Sequence, residues 1–83
     1  MKLTVKLFAS LSEYLPAGAR NHQLQMEFPH GTTPEQVMDR LKVPHHLAHL
    51  VVINGVFVPP AERGTRALME SDEIAFFPPV AGG

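Results

Sequence analysis

The sequence predicts an α+β chain, a mixed sheet of four to five strands with one main helix packed on one face. Three observations carry that expectation. Alternating apolar runs lie near both ends of the chain, a capped helical segment lies between them, and a favoured hairpin dipeptide follows the helix. Its 83 residues leave room for one small core, and the lack of cysteine excludes disulfide staples, thiolate zinc sites and cysteine nucleophiles.

In the first run Leu3, Val5 and Leu7 point one way and Lys2, Thr4 and Lys6 the other, the pattern of a half-buried strand. Phe8 falls on the polar side of that alternation. Ser10 is placed to cap a short helix from Leu11 to Leu15, which Pro16 and the Ala17-Gly18 turn stop. The second strand sets Leu24, Met26 and Phe28 inside and Gln23, Gln25 and Glu27 outside, and ends at Pro29, His30 and Gly31. The main helix starts with Thr33 as N-cap, Pro34 at the first helical position and Gln36 completing a capping box. Val37, Met38 and Leu41 form its apolar face, and Pro44 ends it near residue 43. His45 to His49 reads as a short turn or 3₁₀ piece.

The hairpin follows as Leu50 to Ile53, the Asn54-Gly55 turn, and Val56 to Val58. Pro59-Pro60 closes it, residues 61–71 read as a loop with a brief strand around Ala67 to Met69, and Glu73 to Phe77 is the last strand. A β-grasp fold satisfies this order, with the first and last strands side by side at the centre. The domain expectation is residues 1–77, followed by a flexible tail over 78–83.

Seven Lys plus Arg against eight Asp plus Glu give a formal charge of -1. That balance argues against nucleic-acid binding through a basic face and against a polybasic membrane anchor. Lys6 interrupts the N-terminal apolar run before a signal-peptide core forms, and no stretch approaches the roughly 18 apolar residues of a membrane span, so the expected location is cytoplasmic. No Gly-rich phosphate-binding loop is present.

The chain ends Phe77-Pro78-Pro79-Val80-Ala81-Gly82-Gly83. Two prolines hold the exit extended, and the side chains then taper to nothing, a shape that threads a narrow channel. A terminal Gly-Gly by itself suits ordinary fraying, but the proline strut and the taper favour a functional tail, whose last group is the carboxylate of Gly83. Parity adds to this. With Ile74 and Phe76 in the core, Phe77 faces outward as Phe8 does, and central pairing of their strands brings the two rings together beside the tail. Exposed aromatics on a polar face mark a partner-binding surface.

The segment from Asp72 to Gly83, with Phe-Phe-Pro-Pro-Val-x-Gly-Gly at its end, resembles the C-terminus of the ubiquitin-like sulfur carriers, in particular the small subunit of molybdopterin synthase. The opening Lys6 to Leu15 and the Asn54-Gly55 hairpin are similar to that family as well, so the likeness spans the chain. It implies that Gly83 is adenylated by a ubiquitin-activating-type adenylyltransferase using ATP and Mg²⁺, both bound by that partner. A sulfur donor protein then converts the adenylate to a thiocarboxylate. The charged tail, Pro78, Pro79, Val80, Ala81, Gly82 and Gly83, enters the molybdopterin synthase large subunit, where the sulfur becomes part of the pterin dithiolene. Phe8 and Phe77 match aromatics at that subunit interface. The chain is then no enzyme on its own and binds no cofactor. Ser12 stands where many members carry arginine, and the shorter thiamin carriers lack Phe-Phe-Pro-Pro.

Two other classes compete, a protein modifier that forms an isopeptide bond through Gly83 and a non-covalent adaptor whose Gly-Gly is incidental. His45, His46 and His49 invite a metal reading, but zinc wants a third ligand and oriented supporting groups, and a solvated cluster is the expectation. Glu62, Glu70, Asp72 and Glu73 lie in loop or turn, with Asp72 serving the turn and Glu70 and Glu73 solvated or partner-facing. Arg63 and Arg66 read as lone surface arginines.

Overall fold

The computed structural model describes residues 1–79. Five strands form one mixed sheet, β1 (Lys2–Leu7), β2 (Gln23–Glu27), β3 (Leu50–Ile53), β4 (Val56–Phe57) and β5 (Glu73–Phe77), in the order β2-β1-β5-β3-β4. β1 and β5 run parallel at the centre and the other pairings are antiparallel, the arrangement of a β-grasp, ubiquitin-like fold. The one α-helix among the described residues, α1 (Pro34–Leu41), covers one face.

The alternation read from the sequence sets the layers. Leu3, Val5 and Leu7 of β1, Val51 and Ile53 of β3, and Ile74 and Phe76 of β5 are buried beneath Val37, Met38 and Leu41 of α1. No buried side-chain nitrogen or oxygen among the described residues lacks a hydrogen-bond partner. The capping box forms as expected. Gln36 N–H donates to Thr33 Oγ1 at 3.4 Å and Thr33 N–H donates to Gln36 Oε1 at 3.0 Å. Thr33→Ala removes one arm of it and is expected to cost about 1 kcal/mol. In a domain of this size that is a fall of about 5 °C in the thermal midpoint, readable by circular dichroism; an unchanged midpoint would show the cap to be idle.

The helix stops two residues before the expected end. Lys42 adopts φ +61, its N–H donates to Asp39 O, and Val43 N–H donates to Met38 O, a Schellman arrangement with lysine where glycine is usual. Two further expectations are corrected. Ser10 is not a cap, because Ala9 at φ +51 turns the chain directly out of β1. A 3₁₀ helix therefore starts at Ala9 and runs to Tyr14, with Phe8 at the capping position and no side-chain cap. Its serine bond is from Ser12 Oγ to Ala9 O at 2.8 Å. No strand forms around Ala67 to Met69: Leu68 is buried and its N–H donates to Thr32 O at 2.8 Å, which docks the loop beside the start of α1.

The largest departure is Arg63, read from sequence as a surface residue and found buried at 8% exposure. Its guanidinium donates to three carbonyls, from Nε to Val58 O at 3.1 Å, from Nη1 to Ala48 O at 3.0 Å and from Nη2 to His49 O at 3.2 Å. Its own carbonyl accepts from Glu35 N–H at 2.9 Å. One residue thus ties the chain leading into β3, the end of the hairpin and the first turn of α1. Burial pushes its pKa below the usual arginine value.

Candidate functional site

The parallel pairing of β1 with β5 places the expected aromatic pair. The ladder sets Leu7 beside Phe76, and one further bond, Phe8 N–H to Phe76 O at 3.2 Å, carries it past the end of β1. Phe8 and Phe77 then lie on the face away from α1, with ring centroids 4.6 Å apart and planes 2° from parallel. Both are half-buried. Such a stack contributes about 0.5–1.5 kcal/mol beyond area burial and fixes both rotamers before any partner arrives.

Around the pair the outer face is apolar. Phe77 stands opposite Leu50 in the β5–β3 ladder, Ala75 opposite Val52, and Val52 opposite Phe57, which is half exposed. A shallow groove of about 530 Å³ opens where Pro78 and Pro79 leave the sheet, lined by Phe8, Ala9, Ser10, His49, Leu50, Phe77 and the two prolines. Lys6, next along β1, is held by Glu73 Oε1 at 2.6 Å, so the charge bordering the patch is neutralised within the chain. A second groove of about 570 Å³, between the β2–α1 connection and α1, contains none of the expected site residues.

The structure therefore brings together Phe8, Phe77, Pro78 and Pro79. Val80, Ala81, Gly82 and Gly83 lie outside the described residues. Sequence reasoning missed His22, whose ring stacks on Phe8 at 5.9 Å between centroids, on the side away from Phe77. It sits in Arg20-Asn21-His22-Gln23, a two-residue turn in which Asn21 and His22 take φ +54 and +62 and Arg20 and Gln23 exchange both backbone bonds.

The other candidates sort differently. His45 Nε2 pairs with Asp39 Oδ1 at 2.7 Å, an acidic neighbour that the sequence reading did not supply. The 3₁₀ turn ends at Leu47, so His45 and His49 share no helical face, and no group of three or more metal-ligating side chains gathers among the described residues. Asp72 serves its turn as expected, accepting from Met69 N–H and Asn54 Nδ2, both at 2.8 Å. Glu70 accepts from Lys2 N–H at 2.9 Å, so it is not simply solvated. No helix among the described residues is long and apolar enough to cross a membrane.

The ThiS family matches residues 5–83. No curated protein matches the chain. Among solved structures, the chain is similar to small archaeal modifier protein 1 (SAMP1) from Haloferax volcanii, with 26% identity over 100% of both chains and a TM-score of 0.67. It is similar in fold to a putative molybdopterin converting factor subunit 1 from Pyrococcus furiosus, at 22% identity over 95% of this chain and 98% of that one, with a TM-score of 0.65. It is also similar in fold to a Helicobacter pylori complex of subunits 1 and 2 of molybdopterin-converting factor, at 16% identity over 100% of both chains, with a TM-score of 0.58. A β-grasp sheet, an aromatic pair beside the Pro-Pro exit and a match over nearly the whole chain agree: the chain belongs to the ThiS family and is a small ubiquitin-like sulfur carrier or modifier.

Proposed function

We propose that this chain carries sulfur on the carboxylate of Gly83 and delivers it to molybdopterin biosynthesis. A ubiquitin-activating-type adenylyltransferase, holding ATP and Mg²⁺, joins the carboxylate to AMP and releases pyrophosphate. A sulfur donor protein then supplies sulfide sulfur that displaces AMP and leaves a thiocarboxylate. Activation divides one hard acyl substitution into two easier ones. Docking of the folded domain raises the effective concentration of the sulfur at the acceptor, the molybdopterin synthase large subunit. A subunit 1–subunit 2 assembly of this kind is what the Helicobacter pylori structure contains.

The observation that carries the reading is the stacked Phe8–Phe77 pair at the foot of Pro78-Pro79. It supplies a rigid apolar anchor where a partner must hold the domain to receive a narrow tail. The likeness to SAMP1 favours a second reading, a modifier that uses the same activation but ends in an isopeptide bond to a lysine.

The deciding measurement is the intact mass of the chain co-expressed with its activating enzyme and sulfur donor. A gain equal to one oxygen replaced by one sulfur, lost on deletion of Gly83, is the expected result. Higher-mass lysine conjugates without that species would establish the modifier. An unchanged mass with every component supplied would overturn both in favour of a non-covalent adaptor.

A further inference from the structure

Two two-residue turns of the same left-handed kind occur among the described residues, and they differ at one position. In the β3–β4 turn, Asn54 and Gly55 take φ +49 and +83. In the turn before β2, Asn21 and His22 take φ +54 and +62. This turn needs positive φ at both residues, and glycine is its usual second member. A histidine in its place bears a steric cost of the left-handed region that glycine does not. Backbone strain retained by a side chain that glycine would relieve points to a use for that side chain.

The ring itself shows the use. The sheet order β2-β1-β5-β3 sets His22, Phe8, Phe77 and Leu50 in one row across the end of the sheet where Pro78 leaves it. His22 O accepts from Leu7 N–H at 2.9 Å, so the turn is pinned to β1 and the ring is presented, not loose. It rests one face against Phe8 and is otherwise exposed. An imidazole carries an N–H donor in either neutral tautomer and two when protonated.

Charge along the sheet sets what that donor meets. Among the described residues Arg20, His22 and His49 stand at this end, with Lys6 held by Glu73 and with Glu13 as a carboxylate on the 3₁₀ helix. The carboxylates of Glu27, Glu70 and Asp72 gather at the opposite end, where Glu27 lies across from Lys2, Glu70 binds Lys2 N–H, and Asp72 binds Asn54 and Met69. We infer that His22 is a specificity-determining residue of the docking surface, receiving a carboxylate that the protein partner presents beside the apolar anchor on Phe8 and Phe77. The inference rests on the sulfur-carrier reading for the existence of that partner. Arg20, two residues away, adds to the field without stacking on the ring.

The test measures affinity for the large subunit by isothermal titration calorimetry, with chemical denaturation of each free variant alongside. His22→Gly relieves the turn, so the free domain stays at least as stable as the wild type, while binding weakens about tenfold through loss of the charge-assisted bond. His22→Phe keeps a stacking ring but no N–H and weakens binding similarly. Wild-type affinity in His22→Gly, with binding still lost in Phe77→Ala, overturns the inference and leaves the carrier reading standing. Wild-type affinity in His22→Phe alone overturns the carboxylate, since stacking then suffices. No binding by the wild-type chain overturns the docking reading and the inference with it.

Discussion

Replacing Arg63 by methionine is expected to cost the fold about 3 kcal/mol, out of a total of about 4–12 kcal/mol for a chain of this length. Methionine keeps much of the buried stem, so the change isolates the guanidinium. Three carbonyls lose their donor. Ala48 and Val58 are buried, at 2% and 0% exposure, whereas His49 is exposed and water can replace its bond. Two stranded carbonyls at about 1–3 kcal/mol each set the scale of the loss. Against it stands the release of a buried charge for which no carboxylate partner occurs among the described residues, a desolvation cost that methionine does not bear. The loss wins because each of the three guanidinium nitrogens donates to a carbonyl where it sits, and its removal unties the chain leading into β3 from the end of the hairpin. Urea denaturation checks this through a lower midpoint at an unchanged slope. A change under about 1 kcal/mol would mean that water takes over the bonds. Arg63→Lys, with one ammonium for three divergent carbonyls, is expected to fall between the two.

Arg63 also marks where sequence reading ended. Its partners lie five, fourteen and fifteen residues away, in segments whose convergence only the fold creates, and an arginine in a Pro-bounded loop carries no local sign of burial. Lys42 and His22 escaped for a related reason. Both take left-handed backbone, which is sought where glycine or asparagine stands, and neither residue advertises it. What was legible rested on local period or local chemistry. The strand alternation placed Leu3, Val5, Leu7, Ile74 and Phe76 inside, and the Thr33–Gln36 box began the helix where it begins. The Asn54-Gly55 dipeptide made the hairpin turn, and Asn54 also ties it to β5, donating to Asp72 and accepting from Glu73 N–H at 2.9 Å. Parity alone put Phe8 and Phe77 on the outer face. Their contact then depended on the parallel pairing of β1 with β5, which a β-grasp order implies. The strand expected around Ala67 to Met69 failed because alternation over three residues is too short to tell a strand from a loop that buries one leucine.

Phe77→Ala is expected to weaken binding to the large subunit by about 30-fold or more, the loss of a hot-spot aromatic worth about 2 kcal/mol or above. Phe8→Ala is expected to act in the same direction, and the two should not add. Each ring is the wall against which the other is held, so removing either frees its neighbour to leave the bound rotamer. The double variant should therefore lose less than the sum of the singles, with a coupling of about 1 kcal/mol in a double-mutant cycle. The fold itself should survive. Both rings are half-buried on the outer face, while the core beneath is closed by Leu7 and Phe76, each at 0% exposure. Denaturation of the free variants should show the loss of the stack, about 0.5–1.5 kcal/mol, together with that of the buried half of one ring, about 1 kcal/mol. Affinity that follows stability one for one would mean that the rings merely shape the domain. Additive single losses would mean that each ring meets the partner on its own, as two separate contacts. Only a large, coupled loss of binding with a nearly intact fold fits a preformed aromatic anchor beside the exit of the tail.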